Sequence, residues 1–168
     1  MDKVCIGSLD LSGQRVLVRV DFNVPLQENA DRTFNVTDDT RIRAALPTLE
    51  AIVSAGGRAI LLSHLGRPRG TRDSKLSLAP VAEHLRGLIE TPVTFLPFCV
   101  GTQVREAVDN LLPGCILLLE NTRFESGETN NDSVLAAAWA ELAEVYVNDA
   151  FGTAHRAHAS TEGVAHFV

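Results

Sequence analysis

Thirteen arginines stand against only two lysines, Lys3 and Lys75, in this chain of 168 residues. Lysine serves general solvation, whereas the planar guanidinium fork suits a carboxylate or phosphate gripped through two hydrogen bonds. Codon usage can produce the same bias, so position has to decide what the arginines do. They gather, with histidines and small polar residues, just after apolar runs. Asp21 and Asn23 follow VLVRV (16–20), and His64 and Arg67 follow AILLS (59–63). Asn121 and Arg123 follow CILLL (115–119), while Asp149, His155, Arg156 and His158 follow VYVN (145–148). Only VTFL (93–96) runs into a largely apolar stretch, PFCVG. Arg41 and Arg43 open a helical segment that should start near the same edge.

Brought together, these groups would make a cationic cleft in which Asp21 and Asn23 bind hydroxyls. Two unit charges at 4 Å interact by about 1 kcal/mol in bulk water and about 4 kcal/mol at an effective dielectric of 20. Several arginines around one small anion can therefore hold it after desolvation losses. The implied ligand is compact, multiply negative and hydroxylated, such as a phosphorylated sugar acid. A nucleotide fits less well, because neither GxxxxGK[ST] nor a GxGxxG after a strand is present to cradle phosphates with backbone N–H groups. Taken singly, each residue also has a plainer role. Asp149 could fix a turn, and His155 and His158 could pack a loop or suggest a metal pair that lacks its third ligand. Gly66, Gly70, Gly127 and Gly152 could serve turns, and His84 reads as solvated on a helix surface.

The elements that would position the cleft are legible from periodicity. Four of the five apolar runs are nearly continuous in hydrophobicity, as in parallel strands covered on both faces. Between them lie segments of helical period at 38–54, 78–90, 103–112 and about 131–144. Thr37 or Asp38 can start the first, Pro47 should kink it, and Gly56-Gly57 should end it. Alternation of strand and helix implies an α/β fold, a doubly wound, Rossmann-like three-layer sandwich with a mainly parallel sheet. In such sheets ligands bind outside the carboxyl ends of the strands, where the polar residues fall. The interruption at 21–37 reads as a loop or small hairpin, and strand order does not follow from the pattern.

Composition narrows the classes. A formal charge of −6 speaks against a nucleic-acid surface, and no apolar run approaches the ~18 residues of a membrane span. Three widely spaced cysteines without CxxC give no disulfide framework or zinc motif. With no signal-peptide pattern at the amino terminus, the sequence reads as a reduced, cytoplasmic protein without nucleic-acid or membrane partners.

RVDFNVPL (19–26), TRIRAALPTL (40–49), LLSHLGRPRG (61–70), LLLENTRFESGE (117–128) and NDAFGTAHRAHAS (148–160) closely resemble the motifs of phosphoglycerate kinases. The match is collinear from near Val16 to about Gly163 and resembles the amino-terminal, 3-phosphoglycerate-binding half of that family. It implies one substrate domain over 1–168, stopping near where the family continues, without the nucleotide domain and its Mg-ATP/ADP site. It also implies a monomer in the full-length form. In the family, positions matching Asp21 and Asn23 contact the glycerate moiety, and those matching His64, Arg67, Arg123 and Arg156 surround its phosphate. The position matching Arg41 neutralises the phosphoryl group in flight, and His155 and His158 match supporting members of the basic patch. The resemblance thus implies glycolytic phosphoryl transfer between 1,3-bisphosphoglycerate and ADP, with little or no turnover by this half alone. The alternatives are a non-catalytic, kinase-derived binding or scaffold module, or another doubly wound enzyme such as a phosphosugar transferase. Thr122, in place of an apolar residue, and SGET (126–129), in place of a more acidic run, depart from the family beside Arg123.

Overall fold

The computed structural model describes residues 6–153 and 157–168. In chain order it contains β1 (Arg15–Val20), a hairpin of β2 (Leu26–Glu28) and β3 (Phe34–Val36), α1 (Thr40–Ser54) and β4 (Arg58–Leu62). There follow α2 (Ala79–Arg86), β5 (Val93–Leu96), α3 (Thr102–Asp109), β6 (Ile116–Leu119), α4 (Ser133–Ala140) and β7 (Val145–Asp149). The five apolar runs form one sheet in the order β5-β6-β4-β1-β7, every neighbouring pair parallel. The interruption after the first strand is the small antiparallel hairpin.

Alternation along the strands divides the core into two layers. Val16, Val18 and Val20 of β1 pack with Ile42 and Leu49 of α1 and Val81 and Leu85 of α2. Leu17, Ile60 and Leu119 face the other way, against Val104 and Val108 of α3 and Trp139 of α4. Helices on both faces make the three-layer α/β/α arrangement, and the near-continuous hydrophobicity of the strands follows from it. Among the described residues, no helix is long and apolar enough to cross a membrane.

Helix α1 buries Ile42, Ala45, Leu49 and Ile52, a stripe at three- and four-residue spacing. Each large aliphatic side chain so buried contributes about 1.5–3 kcal/mol. The helix runs uninterrupted through Pro47 and ends where Gly56 turns into the left-handed region at φ 77°, its N–H donating to Val53. The cap position is Asp39, not Thr37 or Asp38 as expected, and its side chain makes no cap bond; Asp38 instead accepts from the Thr40 N–H at 2.9 Å and sets the turn into the helix. At the start of helix α2, Ser77 Oγ accepts from the Ala79 N–H at 3.2 Å. The carboxylate of Glu120, at the end of β6, accepts from the Leu78 N–H at 2.8 Å and from Ser77 Oγ at 2.7 Å. A buried acid on another element thus satisfies the helix start and favours it electrostatically.

One side chain differs from its sequence reading. His84 is not simply solvated: it is half-buried, and its Nε2 lies 2.9 Å from Asp39 Oδ2. The hydrogen bonds from His84 and then Arg43 hold the Asp39 carboxyl below the usual carboxylate range. They tie the end of α2 to the start of α1.

Candidate functional site

The sheet places the candidate residues over the carboxyl ends of its central strands. Because β4 lies on one side of β1 and β7 on the other, the chain's course changes direction at β1. A crevice opens at such a switch point. Beyond β1 the Phe22 N–H donates to Ser63 Oγ at 2.9 Å, locking this strand exit to that of β4. Asp21 accepts from the Asn23 N–H at 3.2 Å through Oδ1 and from Arg41 Nη1 at 2.9 Å through Oδ2. Asn23 Oδ1 in turn accepts from the Gly66 N–H at 2.9 Å.

The second wall is organised by Asn121, which is fully buried. Its Oδ1 accepts from the N–H groups of Leu65 and Arg123, each at 3.1 Å, and its Nδ2 donates to the carbonyls of Leu65 and Leu76 at 2.7 and 2.9 Å. Asn121 therefore holds two loops together from beneath instead of facing a ligand. Arg123 Nη1 donates to the Gly66 carbonyl at 2.6 Å, which sets the guanidinium against the 64–70 loop. Gly66 has φ 62°, and a Cβ there would come within 2.7 Å of Leu76 Cδ2. A side chain at this position would be strained and crowded at once.

A cavity of about 240 Å³ results, lined by Asp21, Asn23, Arg41, His64, Arg67 and Arg123, with the backbone at Gly66 and Gly152 completing it. It is smaller than the roughly 300–1,000 Å³ of pockets for drug-sized molecules, which suits a small metabolite. Among the described residues, three guanidiniums face it against one carboxylate. A larger adjoining cavity, about 550 Å³, shares Arg67 and Arg123 and adds Arg69, Glu125 and His158. His158 thus lies next to the first cavity and not in it, its Nδ1 4.0 Å from Glu128 Oε1. His155 and Arg156 lie outside the described residues.

Sequence reasoning missed a charged cluster beneath the cavity. Arg19 is 1% exposed, at a β1 position pointing to the Trp139 side of the sheet. Its Nε donates to Ser160 Oγ at 2.8 Å, its Nη1 to the Val20 carbonyl, and its Nη2 to His64 Nδ1, 3.1 Å away. Glu128, fully buried, accepts from the Ser160 N–H at 2.9 Å and from Ser160 Oγ at 2.5 Å. Thr122 Oγ1 also donates to it, at 3.3 Å. Thr122 and Glu128, six residues apart, therefore meet in one buried hydrogen-bonded group. Burial draws the Arg19 pKa down, opposed by attraction to Glu128, Tyr146 and Asp21. The Tyr146 hydroxyl is pushed well above the usual tyrosine range, chiefly by burial, against the pull of Arg19. A charge inside an otherwise apolar strand run was the available signal.

The model for phosphoglycerate kinase matches residues 6–168. The phosphoglycerate kinase of Salinibacter ruber is 57% identical over the whole chain, which covers 42% of that protein. That of Pseudothermotoga lettingae is 55% identical over the whole chain, covering 41%. Among solved structures, the phosphoglycerate kinase of Coxiella burnetii superposes with a TM-score of 0.81 at 39% identity, over 96% of this chain and 38% of that one. The Pyrococcus horikoshii enzyme gives the same TM-score at 27% identity, over 94% and 39%. This sequence thus spans about two-fifths of its relatives' length. Over nearly all of that span, sequence and fold agree: the chain belongs to the phosphoglycerate kinase family.

Proposed function

We propose that this chain is the 3-phosphoglycerate-binding part of a phosphoglycerate kinase and works in phosphoryl transfer between 1,3-bisphosphoglycerate and ADP. The observation that carries the reading is the small cavity at the β1 and β4 strand ends, where Arg41, Arg67, Arg123 and His64 meet Asp21 and Asn23. Asp21 and Asn23 contact the glycerate moiety through its hydroxyl. His64, Arg67, Arg123 and Arg156 take the phosphate, with His155 and His158 supporting them.

Phosphoryl transfer demands positioning and charge neutralisation more than covalent help from the protein. No general base is needed, since the acceptor carboxylate of 3-phosphoglycerate is already ionised near neutral pH. Arg41 meets the charge that spreads over the phosphoryl oxygens in flight. Its ion pair with Asp21, 2.9 Å long, holds it at the cavity mouth before substrate arrives. Mg-ADP is the second substrate. Among the described residues no group of three His, Cys, Asp or Glu side chains could hold a metal ion. On this reading the nucleotide is held by the part of the family's enzyme that this chain does not match, and the chain alone has little or no turnover.

Calorimetric titration with 3-phosphoglycerate tests the reading. The expected result is saturable binding, weakened by added salt as cationic contacts require. A folded sample giving no heat at millimolar ligand would overturn it.

A further inference from the structure

We infer that Arg19 is a positioning residue: it fixes His64 as a neutral imidazole with its proton on Nε2, so that the cavity's histidine is a hydrogen-bond donor and not a cation. This rests on the proposed function only for its consequence, because the state of the ring belongs to the chain without ligand. A guanidinium nitrogen carries donors and has no acceptor to offer. Arg19 Nη2 stands 3.1 Å from His64 Nδ1, so Nδ1 must be the acceptor and the ring's single proton must sit on Nε2. The contact leaves no room for a second reading by rotation of the arginine, since Nε and Nη1 are committed to Ser160 Oγ and the Val20 carbonyl. Both partners are buried, Arg19 at 1% and His64 at 5% exposure, so water does not compete for the bond.

The surrounding charge acts in the same direction. From β1 the ring meets Arg19, with Asp21 just beyond the strand end. Around the cavity stand Arg41 from α1, Arg67 from the loop after β4 and Arg123 from the turn after β6. Glu128 and Tyr146 lie toward Arg19 on the far side. Among the described residues, four guanidiniums against two carboxylates oppose a further positive charge on His64. The consequence is functional. An imidazolium would alter the net charge of the cavity near neutral pH, whereas a neutral ring keeps the site's affinity for a phosphate steady there. Glu128, through Ser160, is the counter-charge that lets Arg19 remain buried and ionised.

The experiment is a long-range ¹H–¹⁵N correlation spectrum of the histidine rings in the labelled 168-residue chain. His64 is assigned by the loss of its signals in His64→Gln. The expected spectrum shows Nδ1 as the unprotonated nitrogen, with a titration midpoint below the ordinary histidine value. Arg19→Gln should raise that midpoint. Should this variant fail to fold with Glu128 left unmatched, Arg19→Gln/Glu128→Gln removes both buried charges and takes the same measurement. An imidazolium at pH 7, a proton on Nδ1, or a midpoint unmoved by losing the guanidinium would each overturn the inference. A merely structural Arg19 would change the melting temperature without moving the ring's tautomer. Titrating 3-phosphoglycerate into the same sample separates the two readings, since absent binding beside the expected spectrum defeats the proposed function and leaves Arg19's role standing.

Discussion

The two ends of the parallel sheet use the same residue type in opposite ways. At the amino ends, Arg15 is matched to Glu144: its Nε donates to Oε1 and its backbone N–H to Oε2, each at 2.7 Å. Arg58, on the next strand, spends Nε and Nη2 on the Gly13 carbonyl, at 3.2 and 2.7 Å. These arginines are satisfied locally and close the bottom of the fold. At the carboxyl ends Arg41, Arg67 and Arg123 converge on one cavity that, among the described residues, offers a single carboxylate, Asp21. Converging like charges destabilise a folded chain, so on the proposed function the upper rim trades stability for an anion site. The sheet's direction, and not residue type, separates the two roles.

The largest expected effect sharpens this contrast at the reacting end. In a protein carrying both parts of the family's enzyme, Arg41→Ala should lower kcat by about 10²–10³, the loss typical of removing one preorganised group that meets transition-state charge. KM for 3-phosphoglycerate should change little, because Arg41 acts on the group being transferred. Steady-state assay in the ATP-forming direction reads both constants. An unaltered kcat would remove Arg41 from the mechanism and leave it as a partner of Asp21.

A smaller effect separates binding from stability. Arg67 is exposed on the rim of both cavities, and no described residue bonds to its side chain. A charge-assisted hydrogen bond is worth about 1.5–3 kcal/mol. Arg67→Ala should therefore weaken 3-phosphoglycerate binding tenfold or more by calorimetry. Its melting temperature should hold or rise, since a repelling charge has gone. A lower melting temperature with unchanged affinity would mean that this arginine belongs with Arg15 and Arg58.

Legibility in the sequence followed the same physical divide. The strand runs and the polar residues after them were readable because burial on both faces makes parallel strands continuously apolar. Their order was not, since β4, β6 and β7 carry the same kind of pattern wherever they sit in the sheet. Asn121 was read as part of the rim because sequence gives a residue's place after a strand but not the direction of its side chain. The buried charges were harder still. Arg19 finds its partners at Ser160 and His64, and Glu120 caps a helix that precedes it by some forty residues. Such long-range matches leave no periodic trace. His84 was missed likewise, because its partner Asp39 stands on another helix.

The smallest effect concerns the other end of the sheet and carries a definite sign with pH. Burial pushes the Glu144 carboxyl up, but the side-chain and backbone hydrogen bonds from Arg15 outweigh it, so its pKa lies below the usual value. A carboxylate depressed in the folded state contributes stability that is complete above its unfolded pKa of about 4.3 and is lost as the pH falls through the folded value. The side chains are 28% and 42% exposed, so solvent screens the pair and its contribution stays below about 1 kcal/mol. Glu144→Gln should accordingly destabilise the chain slightly at pH 7, and the difference from the parent should vanish in acid. Urea unfolding across that range, followed by the fluorescence of Trp139, the chain's single and fully buried tryptophan, measures it. Affinity for 3-phosphoglycerate should not move, because Glu144 precedes β7 and the cavity lies beyond the strand's far end. A change in affinity would mean that the two ends of the sheet are coupled, and the separation of roles drawn from Arg15 and Arg67 would fail.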